Sequence, residues 1–547
     1  MSRAPAPSRQ VEPDTLPCSD SKEDTSIYPQ LKFLNWNFMG RNILFITTDQ
    51  MRFDALGAHG GKVARTPIID SIARSGIDYL RAHNQNVVCM PARSTMLTGQ
   101  YVGTHGVWMN GVPLPADAPS VASVLHDAGY RTGLFGKAHF EPHVDFKGEF
   151  YENRMSRDGE FGPHRGFEHM ELATHSPLIL HYGAWLREHV PDAIAGFYPN
   201  LTAEMRVNGA GGGDTGAIQV HRNPIPREAY HTDWVADRTL EWLEGISHEE
   251  NFFCWMSFPD PHHPWDPPES EQNRIQWQDI PLPAGYPGSA EAARRILEQK
   301  PHHWSDYFEG RKVSNMEAPP SFIPAHMTPD QLREIDALTH VENELIDEAC
   351  GRVLSRLEAR GMLDDTDVFF TTDHGELQGD FGLLFKGAYH VDALMRVPLL
   401  WRPARSADIE GTSIEAPVGH VDLAPTFCSV AGIESPDWMQ GQALPINQPT
   451  AERQDRQRVL TEWDSDFEGD TLSLRTIYRD EYTCTFYQKS SLYDGSEGEL
   501  YDLREDPHQW VNLWNDPERQ SLKRDLIADL RDHLPAARER RKPVSPV

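Results

Sequence analysis

The sequence predicts an α/β fold: a mainly parallel sheet sandwiched by helices, followed by a smaller C-terminal α+β domain. Two observations carry this. Short apolar runs of the kind buried in parallel sheets alternate with helical patterns over most of the chain. From about Glu452 the texture changes to short alternating segments. At 547 residues the chain exceeds what one hydrophobic core organises, so at least two structural units are expected.

The first strand is Asn42-Ile43-Leu44-Phe45-Ile46, which breaks into Thr47-Thr48-Asp49-Gln50. A second run, Phe252 to Phe258, leads into Pro259-Asp260-Pro261-His262, and a third, Val368 to Thr372, ends at Asp373-His374-Gly375-Glu376. Helices are expected at Ile68 to Arg74, after an N-cap at Ser120 with Gly129 closing, and from Thr328-Pro329 to Gly361. Parallel sheets bind ligands beyond the carboxyl ends of their strands. Asp49, His262 and Asp373-His374 are therefore expected to converge on one edge.

Residues 140–230, with Gly209-Ala210-Gly211-Gly212-Gly213, and the Pro-rich 263–325 read as insertions forming rims or lids. Beyond Glu452, Arg458 to Trp463 and Tyr482 to Tyr487 alternate like antiparallel strands, and an amphipathic helix is expected from Gln520 to Leu534. The resulting division is an N-terminal extension (1–40), a catalytic α/β domain (41–450) and a smaller α+β domain (451–547). No internal repeat is evident.

Charge and composition narrow the function. Against 51 Lys and Arg stand 82 Asp and Glu, a formal net charge of −31. Such an acidic surface repels nucleic-acid phosphates and anionic lipid, so neither is expected as a partner. No apolar run approaches the roughly 18 residues that cross a bilayer. The six cysteines are too sparse for a disulfide scaffold, no CxxC pair points to structural zinc, and the first 39 residues lack the apolar core of a secretory signal. A cytoplasmic location follows, and the sequon at Asn200-Leu201-Thr202 reads as chance.

The sharpest segment is Cys89-Met90-Pro91-Ala92-Arg93-Ser94-Thr95-Met96-Leu97-Thr98-Gly99. Cys89 precedes a helix start, where backbone N–H groups and Arg93 would lower a thiol pKa and favour an anion. The competing reading is a buried structural cysteine, and the residues alone leave the two even.

This run resembles the C-x-P-x-R…L-T-G signature of type I sulfatases and the related phosphonate monoester hydrolases of the alkaline phosphatase superfamily. The resemblance implies an alkaline-phosphatase-like fold and a formylglycine made from Cys89 by a maturation enzyme that reads the Cys, Pro and Arg. The hydrated aldehyde would attack the ester and form a covalent sulfo-enzyme intermediate. It also implies one divalent metal (calcium first, with manganese or magnesium as alternatives) held by Asp49, Asp373, His374 and the modified Cys89. Gln50 stands where many sulfatases carry a second Asp ligand. Gly136-Lys137-Ala138-His139 and Leu384-Phe385-Lys386-Gly387 resemble the segments that supply two anion-binding lysines and, at His139, a base. Arg93 would hold the nucleophile and the anion, and His262, in Pro261-His262-His263-Pro264, would serve the leaving group. Similar segments continue through Arg396-Val397-Pro398, His420 to Thr426, Leu500 to Leu503 and Asn512-Leu513.

The expected reaction is hydrolysis of a small-molecule sulfate monoester. Hydrolysis of phosphonate monoesters or phosphodiesters is the alternative, toward which Gln50 and His374 lean, and a non-catalytic metal-binding protein ranks last. A homo-oligomer is compatible with the long loops.

Overall fold

The computed structural model describes residues 40–145, 148–176, 178–194, 212–312, 322–467 and 469–545. Residues 1–39 of the N-terminal extension, the Asn200 sequon and Gly209 to Gly211 lie outside them.

Among the described residues, ten short strands precede residue 420: β1 Asn42–Thr48, β2 Ile77–Tyr79, β3 Ala82–His83, β4 Arg131–Gly136, β5 His169–Leu172, β6 Phe252–Ser257, β7 Thr366–Thr372, β8 Leu399–Arg402, β9 Thr412–Ile414 and β10 Val418–Gly419. Eight of them form one sheet in the order β5-β4-β6-β1-β7-β8-β2-β9, while β3 pairs with β10. The first five of that order run parallel; β8 runs antiparallel to both neighbours. Their carboxyl ends therefore share one edge.

The central strands are apolar on both faces because both faces are covered. Phe45 is in register with Trp255 on one side and Phe369 on the other, and these rings pack with Phe427 of the helix Leu423–Val430. Leu44 and Ile46 point to the opposite face, into a cluster with Trp234, Val341, Leu345 and Val353. Most of that second cover comes from the helix Pro329–Ala359. It begins with a reciprocal cap between Thr328 and Gln331, with Pro329 in its first turn. That arrangement satisfies two end donors and pre-sets the first φ. It ends ahead of Gly361, whose φ of 70° is the left-handed conformation that stops a helix.

The expected ends of the other helices hold within a residue or so. Ser120 Oγ accepts from the backbone N–H groups of Ala122 and Ser123, and the helix Pro67–Ser75 covers the predicted 68–74.

Strands β11 Arg458–Phe467, β12 Asp470–Arg479, β13 Tyr482–Tyr487 and β14 Gly498–Asp502 form an antiparallel sheet in chain order. Leu526 and Leu530 of the helix Gln520–His533 pack on Leu460, Ile477, Cys484 and Leu500. This smaller sheet braces the segment before Cys89: Glu462 N–H donates to Gln85 O at 2.9 Å, and Asn86 Nδ2 donates to Glu462 O at 2.7 Å. Among the described residues no helix is long and apolar enough to cross a membrane.

Candidate active site

Every expected site residue emerges at or beside the shared strand edge. Asp49 and Gln50 follow β1, Lys137 and His139 follow β4, His262 follows β6, and Asp373 and His374 follow β7. Cys89 opens the helix Cys89–Thr98, all ten residues of which are buried. The backbone is tightly constrained here. Gly136 has φ 102°, and a Cβ there would lie 1.7 Å from Ser257 O, so only glycine lets β4 pass this close to β6. Gln50 and His139 adopt φ of 69° and 57°, conformations that non-glycine residues hold only where packing imposes them.

Two buried carboxylates divide their oxygens between cations and a common centre. Asp49 Oδ2 pairs with Lys137 Nζ and, at 3.4 Å, with Arg93. Asp373 Oδ2 accepts from Arg93 Nε at 2.8 Å. Their Oδ1 atoms each lie 3.7 Å from His374 Nε2, which is 3.2 Å from Cys89 Sγ. His374 Nδ1 donates to Gly375 O at 2.9 Å, so the Nε2 lone pair faces the carboxylates. Burial lowers the His374 pKa against the pull of Asp373 and Asp49, keeping the ring neutral, as a ligand must be.

Ligand atoms of Asp49, Cys89, Asp373 and His374 all lie within 4.8 Å of one another. Two carboxylate oxygens and an imidazole fit a hard divalent cation once position 89 offers oxygen; a sulfur there makes the set softer. Glu141, Glu152 and His164 are equally close together. There, however, Arg165 Nε donates to His164 Nε2 at 3.2 Å, using its lone pair, and Arg165 lies 3.6 Å from Glu141. That group already holds its cation.

Arg93 is fully buried, and four of its five N–H groups are engaged. Besides the two carboxylates, its NH1 nitrogen donates to Lys137 O at 2.7 Å and to Ser257 Oγ at 2.8 Å. It organises both carboxylates and leaves one N–H for the nucleophile or the anion. Of the two readings of the Cys89 thiol left even by the sequence, the structure favours the buried, protonated one. Burial, then the neighbouring Asp49 charge, push Cys89 up to about 12, outweighing Lys137 and Lys386. A helix N-terminus does not make a thiolate in a dry site lined by carboxylates. Asp49 runs the other way: burial favours its neutral form, but Lys137, His262 and Arg93 hold it well below the usual carboxylate range.

Gln50 does not spend its amide on the carboxylate centre. Its Oε1 accepts from Lys386 Nζ at 2.7 Å, and its Nε2 donates to Glu376 Oε2 at 2.6 Å and to His263 Nδ1 at 3.1 Å. Lys386 Nζ also donates to His262 Nε2 at 2.7 Å, while His262 Nδ1 donates to His263 O at 2.5 Å. These two bonds fix the His262 tautomer. His139 stacks on His143 with centroids 3.8 Å apart. Burial, then His143 and the Lys137 and Arg93 charges, hold it neutral, well below the usual imidazole value. Among the described residues neither of its ring nitrogens has a hydrogen-bond partner.

Three residues here escaped the sequence reading. Ser257, the last residue of β6, links Arg93 to Lys137 O. His175, just beyond β5, stacks on His262 with centroids 4.0 Å apart and lies 3.4 Å from Lys137 Nζ through Nε2. Glu376 is buried behind Gln50. Only Glu376 carried a signal, an acidic residue directly after Asp373-His374-Gly375; His175 is one of 25 histidines within a long insertion.

Comparison with known proteins agrees with this architecture. Residues 41–433 match the family model "Sulfatase", and residues 379–536 match "N-sulphoglucosamine sulphohydrolase, C-terminal". The chain is 27% identical over 498 residues to an uncharacterized sulfatase, YidJ, of Escherichia coli, covering 90% of this chain and 87% of that one. It is 26% identical over 500 residues to an arylsulfatase of Clostridium perfringens, covering 90% and 95%. The fold superposes on the phosphonate monoester hydrolase of Agrobacterium radiobacter with a TM-score of 0.71 at 23% identity, over 90% of this chain and 96% of that one.

Proposed function

The chain belongs to the sulfatase family, and from that premise we propose that it hydrolyses the sulfate monoester of a small-molecule alcohol at Cys89, with S–O cleavage. One observation carries the reading: position 89 belongs to a carboxylate–imidazole cluster at the carboxyl edge of a parallel sheet and feels the charges of two lysines, Lys137 and Lys386. Asp49, Asp373 and His374 would hold a divalent cation, calcium by the hardness of its oxygen donors, with manganese or magnesium as alternatives. When bound, it supplies positive charge to the attacked ester and to an oxygen at position 89. Oxidation of Cys89 to formylglycine by a maturation enzyme exchanges a protonated thiol for an aldehyde hydrate, whose oxygen attacks sulfur and whose return to the aldehyde releases sulfate.

The chain's own groups do the rest. Lys137 and Lys386 hold the tetrahedral anion, and their charges act strongest in a site closed to water. Asp49 stays ionised and keeps Lys137 in place. The Lys386–His262 hydrogen bond holds a proton beside the departing oxygen; as negative charge grows there, the pair delivers it. His139, neutral and facing no competing partner among the described residues, takes the proton from the hydrate.

A phosphonate monoester or phosphodiester hydrolase is the second reading. His374 and the neutral amide of Gln50 favour it, and both esters are tetrahedral monoanions that this shell does not separate. Matched assays on an aryl sulfate and an aryl phosphonate monoester, with Lys386→Ala as control, decide between them. Sulfate turnover lost in the variant is the expected result; efficient phosphonate turnover with none of the sulfate would overturn the first reading.

A further inference from the structure

Glu376 lies outside the set of groups that touch the anion, yet its bonds determine how one of them is aimed. It is 2% exposed. Its Oε1 accepts from the backbone N–H groups of Gln378, at 3.1 Å, and Phe385. Its Oε2 accepts from Gln50 Nε2 at 2.6 Å. Three N–H donors thus converge on the two oxygens of this one side chain. Gln50, 1% exposed, has two chemically different ends and one cavity in which to place them. Glu376 Oε2 accepts and the Lys386 ammonium can only donate, so the NH2 end faces Glu376 and Oε1 faces Lys386 Nζ, 2.7 Å away. Lys386, at 2% exposure, carries the same bond on to His262 Nε2 at 2.7 Å. Both ends of the chain are braced by strained backbone, with φ of 69° at Gln50 and at Phe385, the residue before Lys386.

We propose that Glu376 is a positioning residue that locks the orientation of the Gln50 amide and thereby aims the Lys386 ammonium at the substrate anion. The inference rests on the site reading above and concerns residues that reading leaves without a role. It is sharpest for Glu376→Gln, which preserves shape. The two backbone N–H groups would claim the new amide oxygen and leave its NH2 facing Gln50. Gln50 would then turn over, place its own NH2 against Lys386 Nζ, and push a cation away from a donor. Exchanging the partners, in the double variant Gln50→Glu with Glu376→Gln, returns an acceptor oxygen to Lys386 and a matched pair behind it.

The test measures inorganic sulfate affinity by calorimetry, in protein kept as the Cys89 thiol, alongside kcat for an aryl sulfate in matured enzyme. E376Q is expected to weaken sulfate binding at least tenfold and to lower kcat about a hundredfold, the scale of one misplaced transition-state donor. The double variant is expected to recover most of the sulfate affinity. E376Q with unchanged or tighter sulfate binding overturns the proposal. Should E376Q not fold, the double variant decides alone: recovered affinity supports the proposal, and affinity at least tenfold below wild type contradicts it. Wild-type enzyme inactive on every sulfate ester, with the affinity pattern intact, would refute the proposed function and leave this inference standing.

Discussion

Replacing Arg93 by lysine keeps the charge and removes the fork. The guanidinium reaches four acceptors in different directions: Asp373 at 2.8 Å, Lys137 O at 2.7 Å, Ser257 Oγ at 2.8 Å and Asp49 at 3.4 Å. A lysine ammonium at the end of a flexible stem serves one carboxylate and cannot span the others. Ser257 still donates to Lys137 O, so that carbonyl stays satisfied. Two neutral-partner bonds at about 1 kcal/mol each, and one to an ionised carboxylate at about 1.5–3, sum to about 3.5–5 kcal/mol. Against a typical unfolding free energy of about 5–15 kcal/mol, this is a large fraction. The comparison is urea unfolding of wild type and R93K, both with Cys89 unmodified, followed by the fluorescence of the 14 tryptophans. If Arg93 served chiefly to grip the substrate, the unfolding free energy of R93K would stay within about 1 kcal/mol of wild type. That result would refute the role assigned to Arg93.

Three further outcomes follow from the same geometry. A strong chelator should abolish activity and lower the thermal midpoint, because the Asp49 and Asp373 Oδ1 atoms lose their shared cation; calcium, manganese or magnesium should restore both, and full activity after exhaustive chelation would contradict the centre. Unmodified Cys89, its thiol pushed up to about 12 by burial and then Asp49, should resist iodoacetamide at pH 8 in folded protein, with peptide mass spectrometry as the readout; rapid labelling there would contradict the burial argument. Burial, offset in part at some sites by hydrogen bonds, lowers His105, His231, His303, His390 and His420 to about 3. Below about pH 6.5 the unfolded chain takes up protons that the folded one refuses, and each such histidine removes up to about 1.4 kcal/mol per pH unit. Their stability is thus present above pH 6.5 and lost as pH falls toward 3, so a thermal midpoint that stayed flat from pH 7 to pH 4 would show that these rings do not carry that burden.

Much of the site was legible because its residues sit where strands end. Asp49, His262 and Asp373-His374 each follow an apolar run, and parallel pairing alone brings those ends together. The small sheet was half-legible: β11 and β13 alternate visibly, whereas β12 begins at Asp470 with polar residues and β14 is a short five-residue strand. The Cys89 thiol stayed undecided in sequence because local position says helix N-terminus, while its pKa is set by burial and by Asp49, forty residues away in sequence. Gln50 stands in sequence only as the replacement for a second Asp ligand; its bonds to Lys386 and Glu376 arise only in the folded chain. His175 left no trace in sequence because it arrives through β5, a four-residue strand within an insertion.

The account turns on what occupies position 89 in working enzyme. Trypsin releases Ala82–Arg93 intact, and its mass separates thiol from aldehyde. In protein that turns over an aryl sulfate, the account predicts that the aldehyde form is present and that its fraction tracks specific activity across preparations. Fully active protein whose peptide carries only the thiol would contradict it.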